Sequence, residues 1–587
     1  MKSAATWLAV AGAIVLFAFA AHAQTPVPAT LTFHGRTAAA GFGFGWGAAT
    51  LEFEGKSYPV RVDGFVLGAV GTASLDGVGQ VTGLTKAEDL NGDFTAVSTG
   101  LTVGQGAGTL VMRNEKGVRV TLDTKNSGLQ VGIGPRGVTM SVGEAGGPPA
   151  DAGARLPQTL GFGELKVGPL FLKPTLNAQM FVLGSHNPGF NGDWSFGPVD
   201  KSEGYFEHSN EEGLNLRAPV GTEGEFGTLK GRVSGVYSMT TSQPDAPVCN
   251  ARGSTSDYTL ESAYLGWQSG DLFPKLGSNA VEISGGDQNY QVFDGLLFWD
   301  GGQDCSGRGA NWLSPRKAFD ATGIIKLTLK GLTLEAVHLK YNDHPNTGTR
   351  LYGERAEYVT DDWFMKSMKL GFMYFHIYDS KTASRNGMDG LYFYHEATPI
   401  PALPDFTYKA TFVNETNSQS SGLSHAYAWY VAPAYKLSSV SWTPQLSYRY
   451  AYFSGGGTHG FDSLFTGLPD WGYWFQGELL GESVLSNNNL VSHQVRLKAQ
   501  PSDSLTLNLI YYRFLLAKKS QSFGVSPSEV SSHALADEID LIADITMTNW
   551  WSITATAAMA NPNKGFTQAV HGSATWLTGY LYMNFNF

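Results

Sequence analysis

From Gln445 to Phe587 apolar and polar residues alternate over runs that fit strands rather than helix faces. The last segment sets Leu577, Gly579, Leu581, Met583, Phe585 and Phe587 against Trp576, Thr578, Tyr580, Tyr582, Asn584 and Asn586, a period of two that ends on an aromatic residue. Upstream, Val491, His493, Val495, Leu497 and Ala499 oppose Ser492, Gln494, Arg496 and Lys498. Likewise Ile539, Leu541, Ala543 and Ile545 oppose Glu538, Asp540 and Asp544. One face of each strand suits lipid and the other water.

The connections sharpen this reading. A tight Pro501-Ser502-Asp503-Ser504 turn joins Val491–Ala499 to Leu505–Tyr511, whereas long polar stretches such as Gly301–Arg308 and Ser520–His533 separate other pairs. Tight turns on one side and long loops on the other are the pattern of an outer-membrane barrel. Residues 160–587 then supply about 18 strands, at about 24 residues per strand and connection. The expected fold is all-β: a transmembrane antiparallel β-barrel preceded by a small soluble β domain. Its C-terminal strand, ending at Phe587, is the segment such a chain presents to the barrel-assembly machinery.

Composition agrees without deciding. The chain has 587 residues, 72 of them Gly, with 12% aromatic and 16% charged residues. After the N-terminus it has no apolar run long enough for a membrane helix. A secreted β-sandwich or β-helix fits these figures nearly as well, so the weight rests on the turn and loop asymmetry. Lys2, the apolar stretch Trp7–Ala20 and Ala21-His22-Ala23 read as a signal peptide over residues 1–23. The formal charge of −11 makes nucleic acid an improbable partner. Cys249 and Cys305 lie in polar surroundings. In an oxidising compartment their pairing closes a loop of about 57 residues, worth on the order of 4 kcal/mol, the alternative being two separate thiols.

Residues 24–143 differ from the rest. Tyr58, Val60 and Val62, then Val118, Val120 and Leu122, then Leu129, Val131 and Ile133 mark strands of about five to seven residues punctuated by glycine, shorter than the nine to eleven needed to cross a bilayer. This reads as a small periplasmic β domain. Gly41, Gly43, Gly45 and Gly47 alternate with Phe42, Phe44 and Trp46, leaving a bare strand face for tight packing or the close approach of a ligand. Asp89-Leu90-Asn91-Gly92-Asp93 lacks the later bidentate Glu of a calcium loop and reads as a turn. A Gly-, Pro- and Ala-rich linker spans 144–159.

Enzymatic signatures are missing. There is no Gly-x-Ser-x-Gly elbow, no His-Glu-x-x-His and no Walker loop, and the 13 His residues show no ligand spacing. No catalysis, metal or cofactor is expected.

Several blocks carry a family resemblance. Tyr448-Arg-Tyr-Ala-Tyr-Phe-Ser-Gly, Phe461-Asp-Ser-Leu-Phe-Thr-Gly, Asp470-Trp-Gly-Tyr-Trp-Phe-Gln-Gly-Glu and Ser486-Asn-Asn-Asn-Leu resemble the alginate-export family of outer-membrane porins. So do Gln494-Val-Arg-Leu-Lys, Ile510-Tyr-Tyr-Arg-Phe and Ala536-Asp-Glu-Ile-Asp-Leu-Ile-Ala-Asp. Upstream, Asp287-Gln-Asn-Tyr, Asp294-Gly, Arg308-Gly-Ala-Asn-Trp-Leu-Ser-Pro-Arg-Lys-Ala-Phe-Asp and Leu351-Tyr-Gly are similar to the same family. The resemblance runs from about Leu160 to Phe587. It implies a monomeric 18-stranded barrel that exports an anionic, alginate-like exopolysaccharide through an electropositive lumen.

Such a polymer needs many weak cationic sites. Arg449, Arg496, Lys498, Arg316 and Lys317 are the candidates, with Glu538, Asp540 and Asp544 placed to brace them. Gln288 and Asp294 fall in family-like blocks and complete the expected path. Where the family shows Arg before the Gln of a Gly-Arg-Gln block, this chain has Gly286-Asp287-Gln288, a charge reversal at an expected lumen position. A neutral glycan is the alternative permeant, with Tyr290 and Trp312 as stacking surfaces. A substrate-selective porin for small solutes is the second reading. Tyr427, Trp429, Tyr430, Trp550 and Trp551 read as bilayer-interface girdle. Besides the permeant and membrane lipid, periplasmic synthesis proteins docking on the N-terminal domain are the expected partners.

Overall fold

The computed structural model describes residues 29–587 apart from 100–105, 128–132, 148–162, 195–200, 222–223, 242–253, 303–306, 314–316, 344–345, 362–364, 420–424, 457–458, 468–475, 482 and 520–529. The leader, Cys249, Cys305, Arg316 and most of the expected linker lie outside the described residues. The chain divides into two compact units, Met1–Gln158 and Thr159–Phe587.

The first unit is a small closed barrel of β1 (Ala29–Phe53), β2 (Lys56–Thr82), β3 (Gly92–Thr99), β4 (Gly106–Asn114), β5 (Arg119–Ser127) and β6 (Ile133–Val142). The C-terminal half of β2 pairs with β5 and its N-terminal half with β6, which closes the ring. The expectation of strands of five to seven residues is corrected here: β1 has 25 residues and β2 has 27. Glycine at period two does not punctuate these strands. It removes side chains where backbones meet: a Cβ on Gly79 would stand 2.2 Å from the Thr121 carbonyl oxygen, and one on Gly47 2.5 Å from the His34 carbonyl oxygen. Leu51, Val60, Leu90, Phe94, Val118 and Val120 fill the interior.

The turn reading at Asp89 agrees with its contacts. Its carboxylate accepts the backbone N–H of Thr85 and of Lys86, both at 3.0 Å, ahead of a short 3-10 turn, Ala87–Leu90. The first linker residues belong to this barrel, because the Gly146 N–H donates to the Ser57 carbonyl at 2.9 Å.

The second unit begins with a three-residue strand, β7 (Leu165–Val167), paired to β8. Its strands are β8 (Leu170–His186), β9 (Ser202–Pro219), β10 (Thr228–Thr240), β11 (Thr255–Gln268), β12 (Val281–Gln288) and β13 (Phe319–Thr328). Next come β14 (Leu332–Lys340), β15 (Arg350–Thr360), β16 (Lys366–Asp379), β17 (Met388–Thr398), β18 (Phe406–Thr416) and β19 (His425–Lys436). The last are β20 (Gln445–Phe453), β21 (Leu490–Ser502), β22 (Leu505–Leu516), β23 (Ala534–Thr546), β24 (Trp551–Pro562) and β25 (Trp576–Asn586). β8 to β25 pair antiparallel with their sequence neighbours, and β25 pairs with β8 to complete an 18-strand barrel. Phe587 seals the seam: it exchanges two backbone hydrogen bonds with Leu176, at 2.8 and 3.1 Å.

Strand parity is as the hydrophobic pattern requires. Val495, Leu497, Ile539, Leu541, Leu577 and Leu581 are exposed on the outer wall, while Ser492, Gln494, Glu538 and Asp540 are buried inside. The connections that follow β8, β10, β12 and every second strand thereafter are at least as long as their neighbours on the other rim. The extremes are 289–318 and 454–489 against 503–504. Tyr427 stacks on Tyr452 and Trp551 on Phe585 along the outer wall, as girdle residues do. Tyr430 departs from that expectation, because its parity points it inward, where it is 1% exposed.

Candidate functional site

The lumen is filled on the long-loop side by two connections that turn inward. Segment 289–318 leaves β12 and returns to β13, yet it reaches strands across the ring. Asp294 accepts hydrogen bonds from the hydroxyls of Tyr392 on β17 and Tyr430 on β19, and Phe298 packs edge-on to Phe375 on β16. Back near the seam, Glu207 on β9 accepts the backbone N–H groups of Asn311, Trp312 and Leu313 at 2.8, 2.8 and 3.0 Å. Burial pushes the Asp294 carboxyl above the usual carboxylate range, opposed by the two tyrosine hydroxyls.

Segment 454–489 joins β20 to β21, and its described residues dock on the inner wall on either side of that pair. Its π-helical turn Gly477–Gly481 is held by β23: Glu538 accepts the Leu479 and Leu480 N–H groups, each at 2.9 Å. Glu415 on β18 accepts the Asp462 N–H at 2.9 Å. The two segments meet in a short parallel bridge, Phe298 to Phe465, where the Phe465 N–H donates to the Leu297 carbonyl and the Trp299 N–H to the Phe465 carbonyl, both at 3.0 Å. Phe298, Phe461, Phe465, Leu479 and Leu480 then share one buried core with the inward side chains Met373, Phe375, Tyr392 and Tyr512.

Several expected path residues therefore serve the inserted segments. Tyr290 is buried, with its hydroxyl donating to Glu335 at 3.1 Å, so it offers no open stacking face. Gln288 is buried too and bonds Ser284 and Thr322. Asp287 does not share the parity of the inward residues Ser284 and Gln288. A register shift between Gly286 and Gln288 puts it beside the backbone of β13, where its carboxylate accepts the Ala321 N–H at 3.0 Å. Its charge reversal thus serves a bulge rather than a lumen position. Glu538 and Asp540 hold backbone amides of 478–480, and Asp544 accepts the Thr554 hydroxyl at 2.8 Å. Lys317 lies over the Trp299 ring at 4.4 Å.

On the tight-turn side the inner wall is polar and divides by charge. From β10 to β18, cation and carboxylate alternate across the register. Lys230 bonds Glu282 at 2.6 Å, Glu282 faces Lys326, Lys326 faces Glu335, and Arg355 bonds Glu335 and Glu357, both at 2.8 Å. Lys369 and Lys409 flank Glu396 at 3.7 and 3.9 Å. Most of this ladder was invisible to local sequence reading, because its pairs join residues on different strands.

The wall of β20 and β21 is different. Arg449 faces Gln494, Arg496 lies between Ser447 and Ile510, and Lys498 lies between Gln445 and Asn508, so the register neighbours of all three are neutral. Arg496 donates from Nε and Nη2 to Asn508 Oδ1 at 3.0 and 2.7 Å. Arg449 is buried under the inserted segments and Lys498 is exposed.

Comparison with known proteins adds a family. Residues 404–574 match the alginate export family. The upstream blocks that resemble it, such as those at Asp287 and Leu351, lie outside the matched stretch. No curated protein matches the chain. Among solved structures it is similar to Pseudomonas aeruginosa OccK9 (OpdG), at 12% identity over 71% of this chain and 98% of that one with a TM-score of 0.45. Pseudomonas aeruginosa OpdK with vanillate gives 12%, 70%, 98% and 0.42, and Acinetobacter baumannii OccAB2 gives 10%, 71%, 98% and 0.43. With its closed lipid-facing wall and its match to the alginate export family over residues 404–574, the second unit is an outer-membrane β-barrel channel.

Proposed function

We propose that the barrel exports an anionic, alginate-like polysaccharide, with Arg496 and Lys498 forming the cationic strip of its path and Arg449 buried in the same wall. The observation that supports this is position: Arg449, Arg496 and Lys498 share the inward parity of the adjacent strands β20 and β21, with Arg496 half-buried and Lys498 exposed toward the tight-turn rim. A polyuronate carries a carboxylate on each sugar and slides best over several modest cationic sites. Asn508 Oδ1 holds the Arg496 guanidinium in place, accepting from Nε and Nη2 at 3.0 and 2.7 Å. In this reading the N-terminal unit lies in the periplasm and docks synthesis proteins, and the strand ending at Phe587 is what the assembly machinery recognises.

The test is reversal potential in planar bilayers under a salt gradient, comparing wild type with Arg496→Glu/Lys498→Glu. Anion preference that inverts in the variant supports the path. Anion preference that survives the double reversal contradicts it. A second reading, a porin for small solutes, draws on the two inserted segments, whose described residues pack against the inner wall. It calls for solute block at millimolar concentration with no response to polyuronate.

A further inference from the structure

Beside the cationic strip the lumen has a wall of another chemistry. On the inward parity of β24, β25 and β8, the tight-turn half carries Thr554 and Thr556, then Tyr582 and Asn584, then Asn177 and Gln179. These are hydroxyls and amides, half-buried except for the buried Thr556. They are already aligned by one another. Asn177 Nδ2 donates to Asn584 Oδ1 at 2.8 Å and to Asn586 Oδ1 at 2.5 Å, and Ser209 Oγ donates to Gln179 Oε1 at 3.3 Å. The charges flanking this wall are engaged locally: Glu211 with Arg232 at 2.6 Å, and Asp544 with the Thr554 hydroxyl.

Above the amides stands an aromatic shelf. Phe181 packs on Tyr580 at 5.1 Å and on Tyr205 at 6.1 Å, and Trp312 of the inserted segment closes over Phe181 at 6.3 Å with its indole N–H donated to the Tyr205 hydroxyl. Phe181, Tyr205 and Tyr580 are buried, while Trp312 and Tyr582 keep part of their rings open.

We infer that this neutral wall is a saccharide-binding strip that reads the hydroxyl edge of sugar rings, while the Arg496 and Lys498 wall takes their carboxylates. The inference rests on the polysaccharide reading for the existence of a path, and it names what that reading leaves open. Planar amides pair with vicinal hydroxyls as donor and acceptor at once, and an aromatic face takes the apolar face of a pyranose. A lumen meant only to pass ions has no use for an amide row ending under an aromatic shelf. A permeant with both hydroxyl and carboxylate edges, a uronic acid polymer, fits two such walls together.

The experiment is single-channel block of the full-length protein by a neutral oligohexose and by an oligouronate of equal length. Four proteins are compared: wild type, Asn177→Ala/Asn584→Ala, Trp312→Ala and Arg496→Gln/Lys498→Gln. Both saccharides are expected to block wild type. The amide variant is expected to weaken both blocks by about tenfold, the size of one or two lost neutral hydrogen bonds, with its reversal potential unchanged. The cationic variant is expected to weaken only oligouronate block and to shift the reversal potential. Trp312→Ala lies on an inserted segment rather than on a strand that closes the seam, and keeps the test open if the amide variant fails to close its barrel. It too is expected to weaken both blocks.

A wild-type channel that is anion-selective and blocked by oligouronate, but indifferent to the neutral oligohexose, overturns the strip and leaves the export reading standing. Neutral block that survives in both the amide and Trp312 variants overturns it as well. Loss of anion selectivity in wild type instead strikes the export reading itself.

Discussion

Arg385 grips Asp462 with both arms of its guanidinium, Nε to Oδ2 at 2.7 Å and Nη2 to Oδ1 at 2.8 Å. Arg385 belongs to the connection between β16 and β17, Asp462 to the segment between β20 and β21, and Glu415 on β18 holds the Asp462 backbone from beneath. The barrel wall thus fixes the inserted segment through one charged clasp. Arg385→Ala leaves Asp462 and Glu415 facing each other in a partly buried site, a loss of about 3 kcal/mol from the seated position. Single-channel records are expected to show frequent openings to a larger conductance. Arg385→Lys keeps the charge but loses the fork, and should fall between the two.

Glu538 is a second clasp. Its two oxygens take the Leu479 and Leu480 amides, and charge-assisted bonds of this kind contribute about 1.5–3 kcal/mol. In Glu538→Gln one acceptor becomes a donor, so one amide loses its partner. Hydrogen exchange at residues 479 and 480 is expected to speed up while the strands of β22 to β24 stay protected. Unchanged exchange at those amides would remove Glu538 from this role.

The same segment carries a pH response. Burial pushes the Glu478 carboxyl up to about 7 from 4.5, opposed by the Tyr580 hydroxyl and by the Arg496 charge. An acid held protonated in the folded state favours that state below its unfolded pKa and loses the advantage as pH climbs to the folded value. Seating of the segment should therefore weaken between pH 4.5 and 7. Glu538 and Asp540 face the same turn, so the decisive comparison is Glu478→Gln. Open probability in that variant should rise less steeply over this interval than in wild type.

In the small barrel, Gly79 has no room for a side chain against the Thr121 carbonyl. Gly79→Val must push β2 from β5, an overpacking cost of about 1–3 kcal/mol. Asp89→Ala, which frees the Thr85 and Lys86 amides, should cost about 1 kcal/mol. Hydrogen exchange of β2 and β5 in the full-length protein separates the two: the first change loosens both strands, the second chiefly the turn.

The outer barrel was readable because a half-lipid, half-water strand must alternate, and Val495 against Gln494 or Ile539 against Glu538 can be assigned by parity alone. Arg449, Arg496 and Lys498 fell on the inner wall by the same rule. What local pattern could not show was where the long connections travel. Asp294, Tyr290 and Glu538 look like path residues until the inserted segments are seen to claim them, and no periodicity records a chain that leaves β12 and docks on β9. Asp287 was misplaced for a different reason: neighbouring strand residues point to opposite faces, so Asp287 and Gln288 could not both line the lumen. In the first unit glycine misled, because Gly47 and Gly79 extend strands through crowded backbone crossings instead of ending them.

The most direct measurement is the reversal potential of the purified wild-type channel in a planar bilayer under a salt gradient, followed by addition of polyuronate. If the Arg496 and Lys498 wall sets the path, the channel prefers anions and polyuronate blocks it from the tight-turn side. Cation preference with no response to polyuronate would mean that the carboxylates of the β10 to β18 ladder govern the lumen and that the permeant is not a polyanion.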